Sequence, residues 1–305
     1  MEITTHLGVV EEGCMIPEEC SVTWSLTESC GVVLPRTHRR LMCSHIENRS
    51  YRILVAVPEG EPPPEGYPVF YLLDANAVFA TMVEAMRVQS GRSEKTGAVP
   101  AVIVGIGYPT DQPFSPDRFY DFTYPISREE QPLTREGKAW PRCGGAENFL
   151  SFIEEELKPE IEDLLPIDKA NQAIVGHSLG GLFVLQVLLN RPEAFRTYVA
   201  GSPSIHWDWR RLQEQERRFA DRLERKPIEA RVLIAVGELE KNHPSRMYEN
   251  AQELSGRLGA FSRRGVYTEF EVFAKENHGS VLPILVSRSL RFAHRPGDER
   301  RHDNG

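Results

Sequence analysis

Residues 174–181 read Ile174-Val175-Gly176-His177-Ser178-Leu179-Gly180-Gly181, and the fold of the chain is decided there. The stretch contains Gly176-His177-Ser178-Leu179-Gly180, a G-x-S-x-G sequence. It follows the apolar run Ala173-Ile174-Val175 and precedes Leu182-Phe183-Val184-Leu185. The pattern requires a strand, a tight turn and a helix in that order. A serine at the apex sits on strained backbone, and only glycines on either side let the strand and helix close. Ser178 then projects its hydroxyl from the carboxyl edge of a sheet, and the N-terminus of the following helix points at any developing oxyanion. The alternative is a chance match in a glycine-bearing turn. The strand before it and the apolar helix after it weigh against that.

Outward from this turn, apolar strands alternate with amphipathic helices. The expected strands lie at 51–58, 68–73, 101–106, 172–175, 196–200, 230–236 and 267–274. Between them the spacing predicts helices over 75–89, 147–165, from 179, over 208–225, near 244–259 and near 280–293. Such alternation implies a parallel sheet covered by helices on both faces, an α/β architecture. No internal repeat or linker interrupts 51–293, so one domain spanning 1–305 is the expectation. Its ends are weakly patterned: about residues 1–34 are irregular, and 295–305 form a polar tail.

One segment breaks the alternation. Residues 108–145 connect a strand to a helix and are rich in Pro, Gly, Arg and aromatics, including Phe114, Phe119, Tyr120, Phe122, Tyr124 and Trp140. Long loops in compact domains are usually functional or disordered, and the aromatics favour a packed loop. In an α/β sheet it emerges at the carboxyl end of its strand, over the nucleophile, where ligands bind.

Composition narrows the function classes. With 40% hydrophobic and 26% charged residues the chain is an ordinary globular protein, and its net charge of −8 argues against a nucleic-acid partner. The five cysteines (Cys14, Cys20, Cys30, Cys43, Cys143) form no C-x-x-C pair. They read as reduced thiols, with no metal site and no cofactor indicated. No export signal and no membrane-spanning stretch are visible, so a cytoplasmic location and no membrane partner are expected.

A serine hydroxyl needs a neighbouring base. In this type of fold the order along the chain is Ser, then Asp or Glu, then His. The last strand, 267–274, precedes Glu276-Asn277-His278-Gly279-Ser280, which makes His278 the expected base, with Gly279 giving the loop freedom to aim the imidazole. His177 is the variable residue of the turn, His206 follows an earlier strand and His243 lies at a helix start. The acid should follow the penultimate strand. There Gly237-Glu238-Leu239-Glu240 offers Glu240 by the spacing G-x-x-[DE] and Glu238 as the fallback. Its task is to hold the imidazole tautomer and stabilise the imidazolium. Two backbone N–H groups should form an oxyanion hole, one from Leu179 and one from the Leu73-Asp74-Ala75-Asn76 turn. Ala75 is the choice there and Asn76 the alternative.

These residues resemble the esterase D-like esterase family of α/β-hydrolases, which includes the trilactone esterases of catecholate siderophores. The resemblance runs from about residue 35 to 293. It is carried by Tyr51–Pro58, Tyr71–Asn76, Gly176–Phe183, Ser202–Asp208, Gly237–Glu240 and Asn277–Ser280. The siderophore branch is similar at Arg118–Pro125 and Gly144–Phe149. The resemblance implies the α/β-hydrolase fold and a serine esterase that works through an acyl-enzyme on a small-molecule ester, with a siderophore trilactone among the candidates. Any iron would arrive with the substrate. It also implies that Ala75, standing where relatives often have glycine, crowds the oxyanion turn.

A ferric tris-catecholate is an aromatic anion. Arg118, beside Phe119 and Tyr120, and Trp207 are therefore the expected substrate-binding residues. The alternative is that Arg118 and Asp121 pair with each other or with neighbours, and that the tryptophans pack beneath the loop. Three other functions stay open: a short-acyl carboxylesterase, a thioesterase resembling S-formylglutathione hydrolase, and a non-catalytic binding protein on a hydrolase fold. Oligomeric state is not legible.

Overall fold

The strand–helix alternation becomes eight strands and nine α-helices among the described residues. The structure, a computed structural model, describes residues 33–125 and 141–293. Most of the N-terminal segment, the polar tail and Trp140 lie outside the described residues. By its contacts the chain divides into Met1–Pro35 and Arg36–Gly305, and the second unit carries everything described below.

Strands β1 (Thr37–Cys43) and β2 (Ser50–Ala56) form an antiparallel hairpin, and β3 (Tyr67–Leu72) leads into α1 (Ala75–Ser90) and the short α2 (Ser93–Thr96). Next, β4 (Val102–Gly107) opens into the long connection that contains α3 (Arg118–Asp121). Helix α4 (Ala146–Ser151), a π-helical stretch at Phe152–Leu157 and α5 (Lys158–Leu164) follow one another directly. The rest of the unit is β5 (Ile167–His177), α6 (Leu179–Asn190), β6 (Thr197–Gly201), α7 (Trp209–Arg225), β7 (Ala230–Gly237), α8 (Met247–Gly259), β8 (Val266–Phe273) and α9 (Val281–Ala293).

The strands form one sheet in the order β1-β2-β4-β3-β5-β6-β7-β8, parallel from β4 to β8 with the antiparallel hairpin at one edge. Strand β1 falls outside the apolar alternation. It is an edge strand whose His38, Arg39 and Arg40 leave no hydrophobic signal, and such charges also discourage pairing with another chain. The π-helical stretch lies inside the span that the apolar spacing predicts as one continuous helix, and a single widened turn is too short for that spacing to reveal.

Two cores cover the faces. On one, Val78, Phe79 and Met82 of α1 meet Leu285 and Leu290 of α9. On the other, Phe149, Phe152, Leu182, Phe183, Leu212 and Leu254 join α4, α6, α7 and α8 to the sheet. Helix α6 is buried along Leu179–Leu189, and each Leu or Phe enclosed this way contributes about 1.5–3 kcal/mol.

The strand order reverses between β3 and β5. Helix α1 leaves β3 on one face and α6 leaves β5 on the other, which opens a crevice at their carboxyl ends. The turns Leu73–Ala75 and His177–Leu179 both lie there.

Candidate active site

The turn after β5 has the geometry its glycines foretell. Ser178 adopts φ 60°, ψ −116°, a conformation that a residue with a side chain adopts only where its surroundings impose it. Its N–H donates to Gly201 O at 2.9 Å, while its carbonyl accepts from Leu182 and Ser204 N–H, both at 3.0 Å. A Cβ on Gly176 would lie 2.3 Å from Gly180 O, so strand and helix close only because that position is bare.

Three turns bring three side chains together. Ser178 Oγ lies 3.1 Å from His278 Nε2, and His278 Nδ1 lies 2.6 Å from Glu240 Oε1. The other carboxylate oxygen of Glu240 accepts from Ser202 Oγ at 2.6 Å and from Gly237 N–H at 2.9 Å. Burial pushes the Glu240 carboxyl up, but the bonds from His278, Ser202 and Gly237 outweigh it and hold the group below the usual carboxylate range. An ionised Glu240 puts the imidazole proton on Nδ1, so Nε2 accepts from Ser178. Ser204 Oγ, 3.2 Å from Ser178 Oγ, must then be the donor of that pair.

Of the two carboxylates left open by the sequence, only Glu240 reaches the histidine. Glu238 points elsewhere and accepts from Lys275 N–H at 2.9 Å. Glu240 retains 4% side-chain exposure and His278 43%, so the acid is enclosed and the base opens toward solvent. The loop carrying His278 is not set by Gly279, which has no left-handed φ. Asn277 sets it: its Oδ1 accepts from Gly279 and Ser280 N–H at 2.9 and 3.1 Å. Such a side-chain turn replaces the expected glycine freedom.

Leu179 and Ala75 are the first residues of α6 and α1, so neither N–H has an intrahelical acceptor. The Ala75 methyl does not crowd the turn as expected. It faces the sheet, where a Cβ on Gly105 would approach it to 2.7 Å, so a bare position on β4 accommodates it. The side chain of Asn76 is committed to the loop after β4: its Nδ2 donates to the carbonyls of Tyr108 and Thr110 at 3.0 and 2.6 Å.

Neither expected substrate-binding side chain is open to solvent. Arg118 is buried and its guanidinium forms a bidentate pair with Asp74, both bonds 2.8 Å. Asp121 pairs with Arg49 at 3.2 Å and accepts from Tyr51 Oη at 3.3 Å. Trp207 is buried too, its ring 5.9 Å from that of Phe119. Arg118 is thus engaged by Asp74 and Trp207 packs beside Phe119, the alternative that the sequence left open. In the described parts of 108–145, Tyr120, Phe122 and Tyr124 are buried, so this connection packs as its aromatics imply.

Sequence reasoning passed over four residues. Ser202 and Ser204 follow β6 and touch Glu240 and Ser178. Asp74 holds Arg118. The His177 ring lies 4.6 Å from the His278 ring, and burial, then repulsion by His278, lowers its pKa to about 3, so it stays neutral. The signal for the serines was their place directly after a parallel strand, where such sheets put their chemistry.

A family model described as "Putative esterase" matches residues 44–278. The chain belongs to this family. It is 54% identical over 263 residues to the ferri-bacillibactin esterase BesA of Bacillus subtilis, covering 86% of this chain and 91% of that one. It is 36% identical over 247 residues to a siderophore enterobactin esterase of Emericella nidulans, covering 73% and 80%. Among solved structures, the BES protein from Bacillus cereus superposes with a TM-score of 0.82 at 42% identity, covering 88% of this chain and all of that one. This chain is thus an esterase of the family, with its α/β-hydrolase sheet. No helix among the described residues is long and apolar enough to cross a membrane, and none of their His, Cys, Asp and Glu side chains group to hold a metal ion.

Proposed function

We propose that the protein is a serine esterase that opens the ester bonds of a siderophore trilactone. The observation that carries the mechanism is the unbroken chain Ser178–His278–Glu240, with bonds of 3.1 and 2.6 Å. Ser178 Oγ attacks the acyl carbon while His278 Nε2 takes its proton. Glu240 holds the Nδ1–H and stabilises the imidazolium. The N–H groups of Leu179 and Ala75 receive the negative charge that develops on the carbonyl oxygen. His278 then returns the proton to the departing alkoxide, and water, activated by the same imidazole, releases the acid from Ser178. The relatives named for bacillibactin and enterobactin support the substrate class. The same class sets no requirement for a resident metal, since iron belongs to the ligand.

The location consistent with this reading is the cytoplasm, where a siderophore ester would be cleaved after uptake. Two experiments test the function. Ser178→Ala should abolish hydrolysis of a p-nitrophenyl ester and labelling by a fluorophosphonate, with the fold retained. Full activity in that variant refutes the nucleophile. A panel of a ferric catecholate trilactone, short acetyl esters and an S-acyl thioester tests the substrate. Preference for the trilactone in kcat/KM is expected, and equal turnover of acetyl esters with no gain on the trilactone removes it.

A further inference from the structure

Arg118 retains 8% exposure and Asp74 3%, and nothing in the triad uses either. Nε and Nη2 of Arg118 donate to the two carboxylate oxygens of Asp74 at 2.8 Å each. The same Nη2 donates to His177 O at 3.3 Å. Asp74 directly precedes Ala75, and His177 directly precedes Ser178 and Leu179. One guanidinium therefore grips the two turns that carry Ala75 and Leu179, the proposed oxyanion donors.

Two further features fit that role. Asp74 is the N-cap of α1 in a left-handed conformation, φ 52°, ψ 39°, yet its side chain makes no capping bond. An N-cap aspartate ordinarily folds back on the amides of its own helix. Here Arg118 turns the carboxylate away and neutralises it. An unrestrained carboxylate at this point would be an anion beside two helix N-termini, the position an oxyanion needs. The second feature is topological. Helices α1 and α6 lie on opposite faces of the sheet, so helix packing does not couple their N-termini. Phe114 and Phe122 flank the guanidinium with ring centroids 5.4 and 5.3 Å from its carbon, which fixes it in place.

We propose that Arg118 is a positioning residue that clamps the Asp74-Ala75 and His177-Ser178-Leu179 turns together and keeps the Asp74 carboxylate out of the oxyanion hole. The proposal rests on the assignment of Leu179 and Ala75 as oxyanion donors. It gives Arg118 an effect on kcat rather than on substrate capture.

The test measures kcat and KM on a neutral p-nitrophenyl acetate and an anionic p-nitrophenyl hemisuccinate, with thermal unfolding of the same samples scoring the fold separately. Arg118→Met should lower kcat on both esters by about 10- to 100-fold, with KM within about threefold. Asp74→Gly, which suits the left-handed backbone, should lower kcat on both by a smaller factor. If Arg118→Met does not fold, Arg118→Lys is read in its place, since an ammonium keeps the charge but cannot span both Asp74 oxygens and His177 O. Loss confined to KM for the anionic ester would make Arg118 a receptor for substrate charge and overturn the clamp. So would kcat within threefold of wild type in either folded variant. Failure of the parent reading is distinguishable, because the wild-type Ser178 would then escape fluorophosphonate labelling.

Discussion

The two ends of the parallel sheet solve the same backbone problem in opposite ways. At the amino end, the left-handed turns before β3 and β8 are glycines, Gly66 at φ 96° and Gly265 at φ 88°. A Cβ would come within 2.6 Å of Ile167 C at the first and 1.6 Å of Ile228 O at the second. At the carboxyl end, the turns after β3, β5, β6 and β8 place Asp74, Ser178, Ser202 and Lys275 at φ 52°, 60°, 39° and 62°. Left-handed backbone in a residue with a side chain costs of order 1–3 kcal/mol. Three of those four side chains hold a partner in the site: Asp74 binds Arg118, Ser178 meets His278 and Ser202 donates to Glu240. The contrast marks Asp74, Ser178 and Ser202 as positions where a strained turn also aims a side chain into the site; Asn242 and Arg246 after β7, at φ 61° and 51°, are strained as well but bond Glu249 and Glu253 instead.

The largest effects should therefore come from side chains at the carboxyl end, and should appear in activity rather than in folding. His278→Ala is expected to lower kcat by on the order of 10⁴- to 10⁶-fold. Glu240→Gln should lose less, about 10²- to 10⁴-fold, because the amide still occupies the site but cannot balance the imidazolium. Steady-state kinetics beside thermal unfolding give both readings. A Glu240→Gln enzyme at wild-type kcat would show that the acid only fills space.

The amino end should behave in the reverse manner. Gly265→Ala forces a methyl group against the Ile228 carbonyl and should destabilise the fold by about 3 kcal/mol or more, through both strain and clash. Denaturant unfolding measures the loss. Activity per folded molecule should stay at the wild-type level, and a fall in kcat at unchanged stability would erase the contrast between the two ends.

How much of this was legible in the sequence follows the same division. Apolar periodicity placed most of β2 to β8 and the main helices within a few residues, because burial sets the period, but it found only the apolar 172–175 part of β5 (Ile167–His177), whose first half is polar. Ser178, Glu240 and His278 were legible because the fold hands each to the turn after a particular strand. Strand β1 was not, since its edge position needs no apolar face. The Arg118–Asp74 pair was missed for a different reason. A residue type announces its charge but not its partner, and these two lie 44 residues apart, joined only by the meeting of two turns. Ser202, Ser204 and His177 belong to the same class: local pattern shows where they sit, and only tertiary contact shows what they touch.

His177 extends the contrast to pH. Its imidazole is buried at 6% exposure beside His278 and its pKa is lowered from 6.5 to about 3. The folded state thus takes up no proton at this site as pH falls through 6.5, whereas the unfolded chain does. Its contribution to stability is complete above pH 6.5 and declines as pH falls toward 3. At about pH 5 the loss is about 2 kcal/mol. Replacing the imidazole in His177→Gln should flatten the acid limb of a Tm-against-pH curve by that amount. Identical limbs in the two proteins would show that His177 is not held neutral. The glycine turns at the amino end carry no titrating group and should add nothing to this limb.

The smallest effect sharpens the comparison further, because it concerns a strained carboxyl-end residue whose exposed side chain lies outside the triad. Lys275 is exposed at φ 62°, and it is its backbone N–H that donates to Glu238, at 2.9 Å. Glycine keeps that N–H and removes the left-handed penalty, while the more flexible unfolded chain returns part of the gain. Lys275→Gly should therefore stabilise the protein by about 0.5–1 kcal/mol with kcat unchanged, as measured by denaturant unfolding and ester hydrolysis. At Ser178 the same replacement would relax the backbone and remove the proposed nucleophile. If Lys275→Gly instead lowered kcat, left-handed strain after β8 would itself be holding the His278 loop. The turns at this end would then be strained for aim as well as for the side chains they carry.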